Sequence, residues 1–310
     1  MHCVLLYNPA AGRKQHLRLT QLKQVAKALA AEGHSAEIVS TTGPGSAANQ
    51  ACEAASDSAD VIFACGGDGT VHEVLQGLVS EAGSPTCALG VIPLGSANAL
   101  ARHLRLSLDP CEAALEQVRG NAGVIPAGKI ICGGDSRYFV VMAGAGPDGA
   151  LVYSLLAQQK TQMGRMAYYL RAARLFATRR FSGFEVEFMP AGSDQAITRK
   201  AVSVMAVRVD DLGGLFSGLA SRKASIRDSA IQLYVLSPPA FVSLPLWFLS
   251  GWLGLRGLNP MLGCVEVSSF SCRAIGKTAP HVQADGEWIG RAPMEVTIVP
   301  NAVRVMLPIR

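Results

Sequence analysis

A glycine-rich segment with one carboxylate, Gly66-Gly67-Asp68-Gly69-Thr70, is the part of the sequence best suited to chemistry. It follows a run of apolar residues and precedes a stretch with helical periodicity, so its glycines occupy a strand-to-helix turn. Glycine lets the backbone approach phosphate oxygens closely, and amides at a helix N-terminus donate hydrogen bonds to them. A carboxylate beside phosphates indicates Mg²⁺ binding or proton transfer from an attacking hydroxyl. The alternative is a tight turn in which Asp68 caps a helix.

A second group of acids lies near the C-terminus, in Ala284-Asp285-Gly286-Glu287. Phosphoryl transfer needs one group that orients or deprotonates the acceptor hydroxyl and others that hold metal near the phosphates. Asp285 and Glu287 are candidates for these roles. Taken alone, Asp-Gly is also the commonest signal of a hairpin turn, so a purely structural explanation stays open.

Several other sites of known chemistry are excluded by the sequence. No G-x-x-x-x-G-K-[ST] string occurs, which excludes a P-loop kinase, and the protein-kinase set of motifs is missing. The eight cysteines form no C-x-x-C pair, so a zinc site is not expected. The phosphate chemistry therefore needs another scaffold.

The elements around these motifs change in character near the middle of the chain. Apolar runs at Cys3–Tyr7, Val61–Cys65 and Leu89–Ile92 alternate with helical patterns, which predicts a doubly wound α/β domain with a mostly parallel sheet. After Asn121, short strands with frequent glycine and proline predict an antiparallel β-sandwich. We therefore expect a nucleotide-binding domain over residues 1–123 and a substrate domain over residues 124–310. A single strand is expected at Arg137–Ala143.

Two segments bear on possible partners. Residues 160–180 contain six Lys or Arg and no acid, which suits phosphates or an acidic lipid surface, although a solvated helix face explains it equally well. The apolar stretch Pro238–Leu258 is interrupted by Pro245 and Arg256, so it is too short to span a bilayer and favours a buried or amphipathic helix. An exposed apolar face there would dock on a membrane or hold an acyl chain. No transmembrane segment, signal peptide or nucleic-acid motif is evident, and the default location is the cytoplasm.

Five motifs, in order, resemble the diacylglycerol kinase catalytic-domain family. The first three are Asn8-Pro9-Ala10-Ala11-Gly12-Arg13, the segment from Gly66 to Val74, and Pro93-Leu94-Gly95-Ser96-Ala97-Asn98. Gly144-Ala145-Gly146-Pro147-Asp148 and the Asp285-Gly286-Glu287 segment extend the resemblance over nearly the whole chain. The family includes diacylglycerol, sphingosine and ceramide kinases and bacterial lipid kinases.

The resemblance implies a fold and a set of site residues. It implies an α/β domain, a β-sandwich domain, and ATP with its substrate in the cleft between them. Glu287, with Asp285, resembles the proton acceptor, whereas Asp68 lies on the phosphate side and acts through Mg²⁺ or as a base. Asp148 is carried over as a substrate-side residue. The residues that resemble the nucleotide and phosphate contacts are Asn8, Gly12, Thr41, Gly66, Gly67, Gly69, Thr70, Glu73 and Ser96.

The resemblance also implies a structural metal, and it is imperfect at a few positions. In some bacterial relatives a metal is bound by an Asp and neighbouring carbonyls, which corresponds here to Asp228 with Ser225 and Ala230. The family's usual glycine after that Asp is replaced by Ser229. Ala99 stands where the family commonly has Asp.

The function expected from the sequence is an ATP- and Mg²⁺-dependent lipid kinase that phosphorylates a hydroxyl of diacylglycerol, a sphingoid base or a related lipid. Its substrate would be presented at a membrane surface, with the enzyme peripheral at the inner face. An NAD kinase or a sugar kinase is the enzymatic alternative, because those families share the Gly-Gly-Asp-Gly motif. A catalytically inactive nucleotide- or lipid-binding regulator is the other, although the three acids argue for turnover.

Overall fold

The computed structural model describes residues 1–9, 15–81, 83, 85–156, 181–210, 224–253, 255 and 259–309. The chain divides into two compact units, one formed by Met1–Ala127 with Val299–Arg310 and the other by Gly128–Ile298. The first unit extends four residues past the expected boundary at 123/124, and the C-terminal segment Val299–Arg310 groups with it. The basic stretch at residues 160–180 lies outside the described residues.

The elements alternate in type over the first third of the chain and are mostly strands thereafter. The strands are β1 (His2–Tyr7), β2 (Ser35–Ser40), β3 (Val61–Gly66), β4 (Ala88–Pro93), β5 (Asn121–Cys132), β6 (Asp135–Phe139), β7 (Met142–Ala145), β8 (Phe184–Pro190), β9 (Ile197–Ala201), β10 (Ser203–Val207), β11 (Ile231–Leu236), β12 (Leu262–Ala274), β13 (His281–Ala284), β14 (Glu287–Arg291) and β15 (Met294–Leu307). The described helices are α1 (Gln15–Ala31), α2 (Ser46–Ser56), α3 (Asp68–Leu78), α4 (Ala99–His103), α5 (Pro110–Val118), α6 (Pro147–Leu156) and α7 (Ala240–Trp252).

The first unit is a parallel sheet covered by helices on both faces. Its strands lie in the order β2-β1-β3-β4, and the end of β15 pairs in parallel with β4. Cys3 and Leu5 of β1 share a core with Leu22 of α1 and Ala114 of α5. The intervening residues of β1 point to the opposite face, where α2 and α3 pack together. The predicted doubly wound fold is confirmed.

The connections of this sheet determine where a ligand site is expected. The chain runs from β1 outward to β2 and then returns to the other side of β1 for β3. In such sheets ligands bind outside the carboxyl ends of the strands, where the strand order reverses. The loops after β1 and β3 meet this condition.

The second unit is built from antiparallel strands, as the sequence predicts. Its strands are ordered β14-β13-β7-β10-β11-β12, with β8 and the start of β15 flanking the later part of β12. The register of β12 shifts between Val267 and Ser269, and this irregularity separates the part paired with β11 from the part paired with β15. Phenylalanine and aliphatic side chains from these strands form one core.

One expected strand is divided in two, and one expected helix is shorter than the apolar stretch that predicts it. The single strand expected at Arg137–Ala143 is divided into β6 and β7, with Val140 and Val141 between them. The apolar stretch around Pro245 forms helix α7, as predicted. Among the described helices, none combines the length and the apolar character that crossing a bilayer demands.

Candidate functional site

The carboxyl ends of the parallel strands place the expected nucleotide-side residues at one edge of the first unit. Asn8 follows β1, and its carbonyl oxygen accepts a hydrogen bond from Arg18 Nη1 at 2.8 Å. Thr41 follows β2, and its N–H donates to the carbonyl of Tyr7 at 2.8 Å. Gly12 lies outside the described residues. Asn8 and Thr41 are therefore each held by a hydrogen bond to their own main chain.

The turns after β3 and β4 touch each other through glycine backbone. A Cβ atom on Gly95 would lie 2.3 Å from the Cα of Gly67, and one on Gly66 would lie 2.3 Å from Thr70 Oγ1. The N–H of Leu94 donates to the carbonyl of Gly66 at 2.9 Å. Glycine at position 95 is thus required for the packing of the two turns, and glycine at position 66 for the close approach of Thr70 within its own turn, whatever ligand the turns bind.

Asp68 connects the two turns and caps a helix other than its own. Its Oδ2 accepts from the N–H of Asn98 at 3.0 Å, and its Oδ1 accepts from the N–H of Ala99 at 2.7 Å. Asn98 has φ +53° and its side-chain amide bonds both the N–H and the carbonyl of Gly95 at 3.0 Å. The carboxylate therefore positions the Pro93–Asn98 loop at the N-terminus of α4.

The remaining nucleotide-side residues differ in how exposed they are to solvent. Ser96 is exposed and Gly67 and Gly69 are half-buried, so these positions present polar groups and backbone to solvent. Thr70 is buried. Glu73 is half-buried, and its Oε2 accepts a long hydrogen bond of 3.4 Å from the N–H of Ala47 in the first turn of α2. This places Glu73 in a supporting position between helices.

In the second unit, Asp285 and Gly286 form the tight turn between β13 and β14. Both have positive φ, +47° and +85°, as a two-residue type I′ hairpin turn requires. The Asp285 side chain is buried, and it accepts hydrogen bonds from three consecutive N–H groups, those of Val140, Val141 and Met142, at 2.9–3.0 Å. These bonds hold the break between β6 and β7.

Glu287 follows this turn and has a different environment. It is half-buried, and it begins β14 opposite Ala284 in the hairpin. The Asp285 carboxylate is engaged with the backbone N–H groups of residues 140–142, and it thereby holds the turn that carries Glu287. The roles of Glu287 and Asp285 as proton acceptors stay predictions.

Asp148 is connected to the same turn through a side chain that the sequence did not single out. Gln283 is buried, donates from Nε2 to Asp148 Oδ2 at 3.1 Å and accepts from the N–H of Gly286 at 3.0 Å. Burial raises the pKa of the Asp148 carboxyl to about 6, against the opposing effects of the Gln283 bond and the N–H of Gly149. Asp148 therefore supports the turn from within the unit.

The turn expected to bind a structural metal is closed by its own hydrogen bonds. The N–H of Ser225 donates to Asp228 Oδ2, and the N–H of Asp228 donates to the carbonyl of Ser225, both at 3.0 Å. The buried Arg208 donates from Nη2 to the carbonyl of Ile226 at 2.8 Å.

The charge of Arg208 bears directly on whether a cation fits at this turn. Burial lowers the pKa of Arg208 to about 10, while the charges of Asp228 and Asp285 oppose that shift. The Arg208 guanidinium already supplies positive charge near the Asp228 carboxylate. A structural cation held by Asp228 with the carbonyls of Ser225 and Ala230 stays a prediction.

Three residues that organise the site lack a sequence signal specific enough to identify them. Asn98 belonged to a recognised motif but had no assigned role, and Gln283 precedes the Asp285-Gly286-Glu287 segment without any signal of its own. Arg208 lies in an otherwise apolar strand region, which was the one available hint, because a buried cation needs partners. Their roles depend on which backbone and side-chain groups the fold brings next to them.

The capping role of Asp68 predicts a graded loss of stability. We expect Asp68→Ala to lower the free energy of unfolding by about 2 kcal/mol, because two backbone N–H groups lose a charged acceptor. Asp68→Asn keeps one side-chain oxygen and should lose about half as much. Urea denaturation of the three proteins measures this. Equal stability of all three would show that the cap contributes nothing.

The raised pKa of Asp148 predicts how stability depends on pH. The folded carboxyl titrates near pH 6, whereas an unfolded Asp titrates near pH 4, so the folded state binds more protons between these values. Its contribution to stability is present below pH 4 and is lost as pH rises through 6. From pH 4.5 to 7 wild type should lose about 2 kcal/mol relative to Asp148→Asn.

Denaturation of both proteins at several pH values measures that difference. The exposed Asp135→Asn serves as the matched control and should keep the wild-type pH dependence. Parallel curves for wild type and Asp148→Asn would contradict the assigned shift.

Comparison with known proteins covers both units. The family model described as the diacylglycerol kinase catalytic domain matches residues 2–135. The diacylglycerol kinase of Bacillus subtilis (strain 168) is 29% identical over 310 residues, which cover 98% of this chain and 95% of that protein. A crystal structure of a diacylglycerol kinase from Bacillus anthracis str. Sterne aligns with a TM-score of 0.73 at 22% identity, covering 98% of this chain and 96% of that one.

A more distant structural likeness concerns the alternative enzyme class. Yeast NADH kinase complexed with NADH aligns with a TM-score of 0.51 and 9% identity over 100% of this chain and 84% of that one. At such identities, structural likeness shows a shared fold alone.

Proposed function

We propose that this chain is a kinase of the diacylglycerol kinase catalytic-domain family, as its similarity to that family supports, and that it transfers the γ-phosphoryl group of ATP to a lipid hydroxyl. The acceptor would be diacylglycerol, a sphingoid base or a related lipid. The observation that carries the proposal is the match to the Bacillus subtilis diacylglycerol kinase over nearly the whole length of both chains. That match includes the second unit, which supplies the Glu287 turn.

The nucleotide would bind at the carboxyl edge of the parallel sheet. Gly67 and Gly69 present accessible backbone at the start of α3, where amides and the helix dipole favour phosphate. The exposed Ser96 offers a hydroxyl from the neighbouring turn. Asn8 and Thr41, at the ends of β1 and β2, would contact the rest of the nucleotide. Asp68 keeps the two phosphate-side turns in register.

Mg²⁺ would neutralise charge on the transferred phosphates and polarise them for attack. Of the expected catalytic acids, Asp68 is the one in the first unit. Each of its oxygens accepts one backbone N–H, and carboxylate oxygens are the ligands that Mg²⁺ prefers. Its chemistry therefore fits a contact with nucleotide-bound Mg²⁺, in addition to its capping role. The direct work of Asp68 is to hold the Pro93–Asn98 loop.

On the acceptor side, Glu287 would accept the proton of the attacking hydroxyl. Its half-buried position at the start of β14 leaves it accessible, while the buried Asp285 fixes the turn through three backbone bonds. Asp148 would act on the substrate side through Gln283. A base held on a rigid hairpin reaches the hydroxyl with little loss of conformational entropy.

A lipid acceptor places the reaction at a membrane surface. We propose a cytoplasmic enzyme that associates peripherally with the inner membrane face, where the lipid hydroxyl is presented. An NAD kinase remains the competing enzyme, because the fold is shared with yeast NADH kinase. An inactive regulator is the competing non-enzyme.

Phosphate transfer from radiolabelled ATP with Mg²⁺ tests these functions together. The acceptors would be diacylglycerol, monoacylglycerol, sphingosine, ceramide and phosphatidylglycerol, with NAD and hexose phosphates as soluble comparators. Label in a lipid supports the proposal and names the head group. Label confined to NADP or a sugar phosphate would refute it, and ATP binding without any labelled product would favour the regulator.

Substitution of Glu287 and of Asp285 should distinguish an acid needed for catalysis from one needed for stability. We expect Glu287→Gln to reduce the transfer rate at least about 100-fold, the usual minimum for a lost general base, with unchanged stability and ATP affinity. Asp285→Asn should lower the free energy of unfolding by about 2 kcal/mol or more, because a buried acceptor of three N–H groups is impaired. Rate assays and urea denaturation measure the two effects.

Glu295→Gln is the matched control, because Glu295 is an exposed acid on a strand of the same unit. It should behave as wild type in both assays. A Glu287→Gln enzyme with full activity would exclude Glu287 as the base.

A further inference from the structure

Helix α7 carries an apolar face that no described part of the chain covers. Phe241 is 81% exposed and Leu249 is 50% exposed, and Leu253, the residue directly after the helix, is 55% exposed. On the same helix, Leu244 and Trp247 are buried, at 4% and 5% exposure. The helix is thus buried on one side and exposed to solvent on the other.

The exposed side chains form one continuous stripe. At 100° per residue, the exposed positions cover an arc of about 140°, and the buried positions lie on the opposite arc. A surface helix normally places charged or polar residues on its solvent face. Here that face is entirely apolar: Phe241, Val242, Pro245, Leu246, Leu249 and Leu253.

The charge of the surrounding sequence distinguishes between the possible binding partners of this apolar face. From Ser229 to Val265 the chain contains no Asp or Glu, and its one charged residue is Arg256. An acid-free, apolar surface on a chain with net charge +5 complements an anionic lipid surface. A second copy would bring a second net positive charge to the same interface.

The exposure of Phe241 and the length of α7 also favour a lipid surface as the partner. Phe241, in the first turn of α7, has the highest exposure among the large apolar side chains of the described residues, at 81%. Thirteen residues form a helix about 20 Å long, which is too short to cross a bilayer. Such a helix lies in the interfacial plane, with its apolar face among the upper acyl chains.

We propose that the stripe of α7 is a membrane-docking surface for anionic bilayers. Phe241, Leu246, Leu249 and Leu253 insert into the interface and seat the second unit against the lipid. This inference deepens the proposed function, on which its biological purpose rests, because a lipid kinase has to remain at the surface that holds its acceptor. The docking itself is a binding property that can be measured without turnover.

The decisive experiment is co-sedimentation with vesicles of equal parts phosphatidylglycerol and phosphatidylcholine, without ATP or diacylglycerol. The double variant Phe241→Ser/Leu249→Ser should bind at least about tenfold more weakly than wild type, because two large apolar side chains lose their burial in lipid. The matched control is Leu108→Ser/Ile275→Ser, which removes two comparably exposed apolar side chains outside α7. It should bind as wild type does.

A second assay separates docking from catalysis. Transfer to dihexanoylglycerol below its critical micelle concentration requires no surface, so the α7 double variant should retain the wild-type rate. Transfer to none of the lipid acceptors of the panel by any of the proteins, with docking intact, would refute the proposed function and leave the docking surface standing. Circular dichroism confirms that each variant is folded.

Three outcomes would overturn the docking proposal. Wild type could fail to sediment with the vesicles, the α7 variant could bind as tightly as wild type, or the control could lose binding equally. If instead light scattering showed a concentration-dependent dimer that only the α7 substitutions abolish, a second copy would be the occupant of the stripe.

Discussion

The bonds from the buried Asp285 carboxylate to three consecutive backbone N–H groups determine how the second unit presents its chemistry. They interrupt what would otherwise be one strand and divide it into β6 and β7. They also fix the two-residue turn with positive φ from which Glu287 extends. A charged acceptor for three amides stabilises a backbone path that ordinary strand pairing would not choose. The position of the candidate base is a consequence of that path.

Asp68 stabilises a backbone loop in the same way in the first unit. Its carboxylate binds two backbone N–H groups of the loop that follows β4, and close glycine contacts complete the junction. In both units, therefore, a motif carboxylate that suggests catalysis is at least partly engaged in holding backbone. The chemical and the structural explanations of these motifs are not exclusive, since a capped loop is also a pre-organised one.

The sequence predicts the architecture well, because it depends on local patterns. Continuous apolar runs such as Val61–Cys65 identify strands covered on both faces, and the Asp-Gly pair identifies the hairpin. The sequence does not predict the division of Arg137–Ala143, because the cause lies more than 140 residues away at Asp285. Backbone N–H groups are present at nearly every residue, so a side chain that binds them leaves no pattern in their sequence.

Gln283 shows why the supporting part of a site is harder to predict than its acids. It alternates with apolar residues in β13, and nothing in its neighbours distinguishes it from a solvent-facing glutamine. In the structure it is buried and uses both ends of its amide, one toward Asp148 and the other toward Gly286. A buried carboxyl with a raised pKa, a neutral amide and a backbone N–H thus form one chain of bonds behind Glu287. Because an amide can donate and accept at once, it can join an acid to a turn without adding charge to the interior.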